Sequence, residues 1–142
     1  MPSRRSKIVL ATGNPDKLRE IQSLLGDAWV LIPQSQFGIS PVEETGATFA
    51  ENALIKARHA AGIANLPAIA DDSGLEVDAL GGAPGVRSAR YAGVDGDDKA
   101  NNRKLLAELR DVKPAHRSAR FRCVLVYARS ADDRNPIVVE GD

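Results

Sequence analysis

The sequence predicts an α/β fold built on a mixed β-sheet, with residues 1–142 forming a single domain. Three observations carry that prediction. Short apolar runs such as Ile8-Val9-Leu10-Ala11 and Ala68-Ile69-Ala70 have the character of strands covered on both faces. Between the runs lie stretches whose apolar residues recur at helical spacing behind good N-caps. Two pairs of runs are joined by turn-rich segments, around Ser73-Gly74 and around Asp132-Asp133-Arg134-Asn135-Pro136, so hairpin pairing accompanies the crossovers.

Taken in order, residues 1–6 are expected as a loose tail and 8–11 as the first strand. Thr12-Gly13-Asn14 turns the chain. Asn14 before Pro15 reads as an N-cap with proline at the first helical position, where a missing N–H costs nothing. That helix carries Leu18, Ile21, Leu24 and Leu25 on one face and stops at Gly26. Residues 29–32 form a second strand, ended by Pro33, and 33–47 are loop, closing with Glu43-Glu44-Thr45-Gly46. Thr48 and Glu51 have capping-box spacing and open a helix to about Ala64, with Phe49, Ala53, Leu54, Ala57 and Ala60 inward. Its small side chains imply close packing on a sheet.

Residues 67–78 read as a strand, a Ser-Gly turn and a second strand. Gly81-Gly82-Ala83-Pro84-Gly85 is a flexible loop. A helix over 97–109 starts with Asp97 and Asp98, placed to suit its dipole, and buries Leu105, Leu106 and Leu109. Residues 119–128 form a long strand, and 137–139 begin another. The chain stops soon after Val139, so the sequence reads as lacking the C-terminal part of its domain.

Composition narrows the function classes. Lys+Arg and Asp+Glu both total 19, and a balanced charge argues against a nucleic-acid polymer as partner. A single cysteine, Cys123, excludes an internal disulfide, suits a reducing cytoplasm and reads as a small buried hydrophobe in its strand. The basic N-terminal residues precede an apolar run too short for a signal peptide or a membrane span. A cytoplasmic protein without membrane contact is expected.

Asp71-Asp72 is the strongest chemical signal. Adjacent carboxylates at the end of an apolar strand are costly to desolvate, unless they bind a cation or work as a base. The plain alternative is that both begin a solvated turn. The Thr12-Gly13-Asn14-Pro15-Asp16-Lys17 segment is a strand–turn–helix junction with a lysine in the first helical turn, an arrangement that suits an anion. It has neither P-loop nor G-x-G-x-x-G spacing, and on geometry alone a well-capped helix with a solvated lysine is the better reading. A loop carboxylate from Glu43-Glu44 with Asp71 and Asp72 makes an oxygen-only set of the kind Mg²⁺ uses beside substrate phosphates, and Lys56 follows on the next helix. Only two histidines, His59 and His116, are present, which argues against zinc. Ser73 lacks a nucleophile elbow and reads as a hydrogen-bonding residue.

Set in order, these segments resemble one family. Thr12-Gly13-Asn14 with Lys17, Glu43-Glu44-Thr45-Gly46, Glu51-Asn52-Ala53 with Lys56-Ala57, and Ala70-Asp71-Asp72-Ser73-Gly74-Leu75 are similar to the Ham1/RdgB family. Gly81-Gly82-Ala83-Pro84-Gly85 and Ser88-Ala89-Arg90-Tyr91 agree. The resemblance implies an elongated mixed sheet in two lobes with a central cleft, and a homodimer. It implies Mg²⁺-dependent hydrolysis of the non-standard purine nucleoside triphosphates ITP, dITP and XTP to monophosphate and pyrophosphate. By motif position, Asp72 is the general base, Glu44 and Asp72 hold Mg²⁺, and Asp71 is a weaker ligand candidate. Thr12, Gly13, Asn14, Pro15, Asp16 and Lys17 cradle the triphosphate with Lys56, and Ser73 contacts the nucleotide. The family's Phe-Gly-Tyr-Asp and Ser-His-Arg segments, which contact the purine and phosphates, are not in this sequence. A nucleotide-binding form without turnover is therefore the rival expectation, and a hydrolase of another phosphorylated small molecule is a second.

Overall fold

A computed structural model of the chain describes residues 6–12 and 15–142. Gly13 and Asn14, and with them the expected N-cap and the middle of the expected phosphate turn, lie outside the described residues, as does nearly all of the expected tail. Five strands form one sheet in the order β2-β1-β3-β4-β5, joined by three α-helices and short 3-10 segments. Two compact units emerge: residues through Asp71 with Leu125–Val139, and Asp72–Val124 with Glu140–Asp142.

The first unit opens with β1 (Ser6–Leu10), α1 (Pro15–Leu25) and β2 (Trp29–Pro33). β1 and β2 pair in parallel, Ser6 with Trp29 through Leu10 with Pro33, so α1 is the crossover of a βαβ unit. Gly26 ends α1 with φ +73°, a conformation that glycine adopts without a Cβ penalty. Gln22 locks the helix to β2. Its Nε2 donates to the Trp29 carbonyl at 3.0 Å and its Oε1 accepts the Leu31 N–H at 2.8 Å.

The core of this unit gathers Ile8, Leu10, Ile21, Leu31 and Ile69, with Leu18, Leu25, Trp29, Leu125 and Tyr127 packed on it. Leu24 departs from expectation at 78% exposed. The buried arc of α1 runs through Ile21, Leu25 and Leu18. Leu24 falls beyond the other edge of that arc, where no strand covers it.

The helix α2 (Phe49–Ala64) follows a 3-10 segment at Gln34–Phe37 and a loop. Ala53, Ala57, Ala60 and Ala61 are essentially solvent-free, the close approach their size permits. Leu54, expected inward, is only half-buried. Thr48 caps the helix, its Oγ1 accepting the Glu51 N–H at 3.1 Å. The Glu51 carboxylate reaches one residue further back than a standard capping box, accepting the Ala47 N–H at 2.7 Å.

β3 (Ala68–Val77) pairs in parallel with β1 through Val9–Ala68 and Leu10–Ile69 and then continues into the second unit. The expected Ser73-Gly74 turn is absent: the strand is continuous through both residues. Turn composition is only a local preference, and here a distant residue overrides it. Ser88 Oγ accepts the Leu75 N–H at 2.9 Å while donating to the Gly85 carbonyl at 2.6 Å, giving the extended backbone a partner.

Within the second unit the chain passes through 3-10 segments at Asp78–Leu80 and Gly85–Arg90 to α3 (Asp98–Glu108). Asp97 is the N-cap, accepting the Ala100 N–H at 3.1 Å. The inward stripe of α3 is Asn101, Leu105 and Leu109. Leu106, expected in the core, is 59% exposed because it stands a third of a turn off that stripe. Asn101 occupies the place apolar periodicity would assign to a hydrophobe. Its side chain accepts the Ala92 N–H at 2.8 Å and donates to the Ala89 carbonyl at 2.9 Å, holding the incoming loop. Tyr91, on the same loop, donates to Glu108 and lies 4.3 Å beneath the Lys104 ammonium. Burial and the Glu108 carboxylate push its phenol up to about 12.

β4 (Ala119–Ala128) begins in this unit and ends in the first, and β5 (Ile137–Gly141) lies beside it at the edge of the sheet. The connection from Arg129 to Pro136 is too short for a parallel crossover, so the sheet is mixed. Val124, Val126 and Ala128 are the buried register of β4. Cys123 sits on the alternate face and is half-buried rather than buried.

Candidate active site

Thr12 and Asp71, with Lys17 at the start of α1, follow the carboxyl ends of β1 and of the part of β3 paired with it, where open parallel sheets place their ligands. Thr12 is half-buried just after β1, whose run is fastened by the Ala11 N–H to the Ile69 carbonyl at 2.9 Å. One turn into α1, the Lys17 Nζ stands 3.6 Å from the Asp71 carboxylate. The Lys17 side chain keeps 29% of its exposure and Asp71 only 9%, so the carboxylate is buried against the Lys17 ammonium. Asp16 faces the other way, paired with Arg19 and largely exposed, and Pro15 is exposed at the helix start.

A second pair stands on α2: the Lys56 Nζ meets the Glu44 carboxylate at 2.9 Å, both side chains mostly buried. The structure also separates two neighbours that sequence left level. Glu44 is half-buried on Lys56, whereas Glu43 is exposed. Asp71 and Asp72 divide similarly. Successive strand residues project to opposite faces, so the side on which Asp71 meets Lys17 is not the side Asp72 offers. Ser73, next along β3 in the second unit, lines a cavity of about 360 Å³ there with Leu75, Ser88, Tyr91, Leu105 and Phe121.

The first unit thus holds two lysine–carboxylate pairs, Lys17 with Asp71 and Lys56 with Glu44. Among the described residues, no three His, Cys, Asp or Glu side chains come together as a ready metal cage. Glu44 and Asp71 in the first unit, and Asp72 at the start of the second, each offer carboxylate oxygens, which fit a hard cation and not a soft one. A cation held by one or two carboxylates completes its shell with water and substrate oxygens, which is the habit of Mg²⁺.

One residue near this site had no role assigned from sequence. Asn52 is fully buried in α2, and its Oδ1 accepts the Gly46 N–H at 2.7 Å. The signal was a polar residue on an otherwise apolar helix face, one turn before Lys56.

Fold and site together define an α/β protein with one lysine–carboxylate pair at the carboxyl ends of parallel strands and a second on α2. The chain belongs to the Ham1 family, whose model matches residues 8–142. It is 60% identical over 136 residues to the dITP/XTP pyrophosphatase of Thioalkalivibrio sulfidiphilus (strain HL-EbGR7), covering 95% of this chain and 69% of the relative. It is 57% identical over the same span to the dITP/XTP pyrophosphatase of Escherichia coli O157:H7. The fold is similar to that of a HAM1 protein from Coxiella burnetii, with a TM-score of 0.90 and 47% identity over 96% of this chain and 70% of that one. A nucleoside-triphosphatase / dITP/XTP pyrophosphatase from Mycobacterium abscessus matches with a TM-score of 0.84 and 42% identity, covering 95% and 71%. No helix among the described residues is long and apolar enough to cross a membrane.

Proposed function

We propose that this chain hydrolyses non-standard purine nucleoside triphosphates of the dITP and XTP type to the monophosphate and pyrophosphate. The observation that carries the reading is the pairing of Lys17 with Asp71 beside parallel strand ends and of Lys56 with Glu44 on α2. Two ammonium groups held on carboxylates form a site whose charges are already balanced. An incoming triphosphate offers those lysines a denser anion, and each lysine that turns to phosphate releases a carboxylate.

In this reading Lys17 and Lys56 bind and orient the phosphates, with backbone N–H groups of the Thr12–Lys17 segment completing the cradle. Asp72 takes a proton from water as its oxygen attacks the α-phosphorus. The α–β phosphoanhydride bond breaks, and pyrophosphate carries away the bonding pair. Ser73 donates a hydrogen bond to the nucleotide. Glu44 and Asp72 would hold Mg²⁺, which when bound neutralises phosphate charge and polarises the phosphoryl oxygens. The enzyme acts in the cytoplasm, as a homodimer.

Pyrophosphate release from ITP, XTP and GTP with Mg²⁺, in the chain and its Asp72→Asn variant, tests this. ITP and XTP are expected to exceed GTP, and Asp72→Asn to lower the rate by about 10²–10⁴-fold, the usual contribution of a general base. Equal rates for GTP and ITP would sink the substrate assignment. An unaffected Asp72→Asn would sink the choice of base.

A further inference from the structure

We infer that Asn52 is the positioning residue of the Glu44 arm: acting through Gly46, it sets where the Glu44 carboxylate stands and so how well that carboxylate holds a divalent cation. The inference rests on the reading of Glu44 as a cation ligand.

Asn52 is 0% exposed, and the other buried residues of α2 are all apolar, Phe49 and four alanines. Its Nδ2 has no partner among the described residues, while its Oδ1 accepts the Gly46 N–H at 2.7 Å. Burying an amide half-satisfied is unfavourable, so the bond to Gly46 is the gain that offsets it. Gly46 answers that contact from the loop side. A Cβ there would lie 2.7 Å from Asn52 Oδ1 and 2.7 Å from Glu51 Cβ, so the loop meets the helix at a distance only glycine allows. The next peptide is gripped too, by the Glu51 carboxylate on the Ala47 N–H.

Two residues upstream is Glu44, and one helical turn after Asn52 is Lys56, its ionic partner at 2.9 Å. The same helix therefore holds the arm at two levels, backbone at Gly46 and side chain at Glu44. The two holds differ in kind. Lys56 reaches along a flexible four-carbon stem that follows the carboxylate wherever it goes. The Asn52–Gly46 bond is short, partly buried and made to backbone, so it fixes location where Lys56 supplies charge. Partners that orient a metal ligand typically change affinity by 10- to 100-fold when removed.

The test is Mn²⁺ binding followed by electron paramagnetic resonance on the full chain and on Glu44→Gln, Asn52→Ala, Gly46→Ala and Thr48→Ala. Thermal melts establish that each is folded at the assay temperature. Asn52→Ala and Gly46→Ala, which attack one contact from opposite sides, are each expected to weaken Mn²⁺ binding by about tenfold or more. Amide exchange at Gly46 is expected to accelerate in Asn52→Ala. Thr48→Ala removes a helix cap without touching Gly46, so it should lower the melting temperature and leave Mn²⁺ affinity unchanged. A folded Asn52→Ala with wild-type affinity overturns the positioning role and leaves the ligand reading standing. Thr48→Ala weakening Mn²⁺ as much as Asn52→Ala overturns it as well, since the effect would then be general loosening. A Glu44→Gln variant with wild-type affinity overturns the ligand reading, and the inference with it.

Discussion

Replacing Lys17 by methionine removes the charge that, among the described residues, is paired with the buried Asp71 carboxylate, and keeps the side chain's apolar length. The two lysine pairs look alike in sequence but differ in burial, and burial decides the cost. Asp71 is 9% exposed on its side chain, whereas Glu44 and Lys56 keep 25% and 20%. Breaking a fully buried pair by removing one partner costs about 3–5 kcal/mol, because the remaining charge cannot be hydrated. Lys17 itself is 29% exposed, so water reaches the gap and the expected loss is about 2–3 kcal/mol, at or below the low end of that range. For a chain of this length, unfolding entropy converts each kcal/mol into about 3 °C, giving a fall in Tm of about 6–9 °C. Thermal unfolding by circular dichroism measures it. Asp71→Asn added to Lys17→Met should recover most of the loss, since a neutral amide does not need the ammonium. A Lys17→Met variant within about 2 °C of wild type, or a double variant no more stable than the single, would refute the argument.

Three further outcomes are expected. Ile21→Ala, at a core position 6% exposed, should cost about 2–4 kcal/mol, while Leu24→Ala, at 78% exposure, should stay within about 0.5 kcal/mol; equal losses in urea unfolding would contradict the observed helix orientation. Thr48→Ala should cost about 1 kcal/mol through the lost cap to the Glu51 N–H, read as the shift in urea midpoint. At Asp133, the backbone N–H groups of Arg129 and Asn135 hold the carboxyl below its ordinary value. A folded-state value below the unfolded one means the contribution is present above the unfolded value of about 3.9 and is lost as pH falls through the folded one. Asp133→Asn should therefore flatten the acid limb of a Tm-against-pH curve, and parallel curves would count against it.

Much of the architecture was legible because it depends on local rules. The β1–α1–β2 crossover follows from an apolar run, a helical stripe and Gly26, and α2 from Thr48, Glu51 and its small inward face. The misses share a cause. Leu24 and Leu106 satisfy helical periodicity, yet which edge of a stripe is covered depends on where the sheet ends. Ser73-Gly74 is good turn composition, yet Ser88 from a distant segment completes an extended strand.

The candidate site divides along the same line. Sequence by itself determined the inventory: Asp71-Asp72 after an apolar strand, a lysine one turn into α1, and acidic residues ahead of the capped helix that carries Lys56. Those positions follow from residue type and short-range spacing, which act within a few residues. Only the tertiary structure decided the partners: Lys17 on Asp71, Lys56 on Glu44 rather than Glu43, and Asn52 on the Gly46 backbone. Burial and charge pairing are properties of segments far apart in the chain meeting at short range. The energy that distinguishes one carboxylate from its neighbour exists only after they meet.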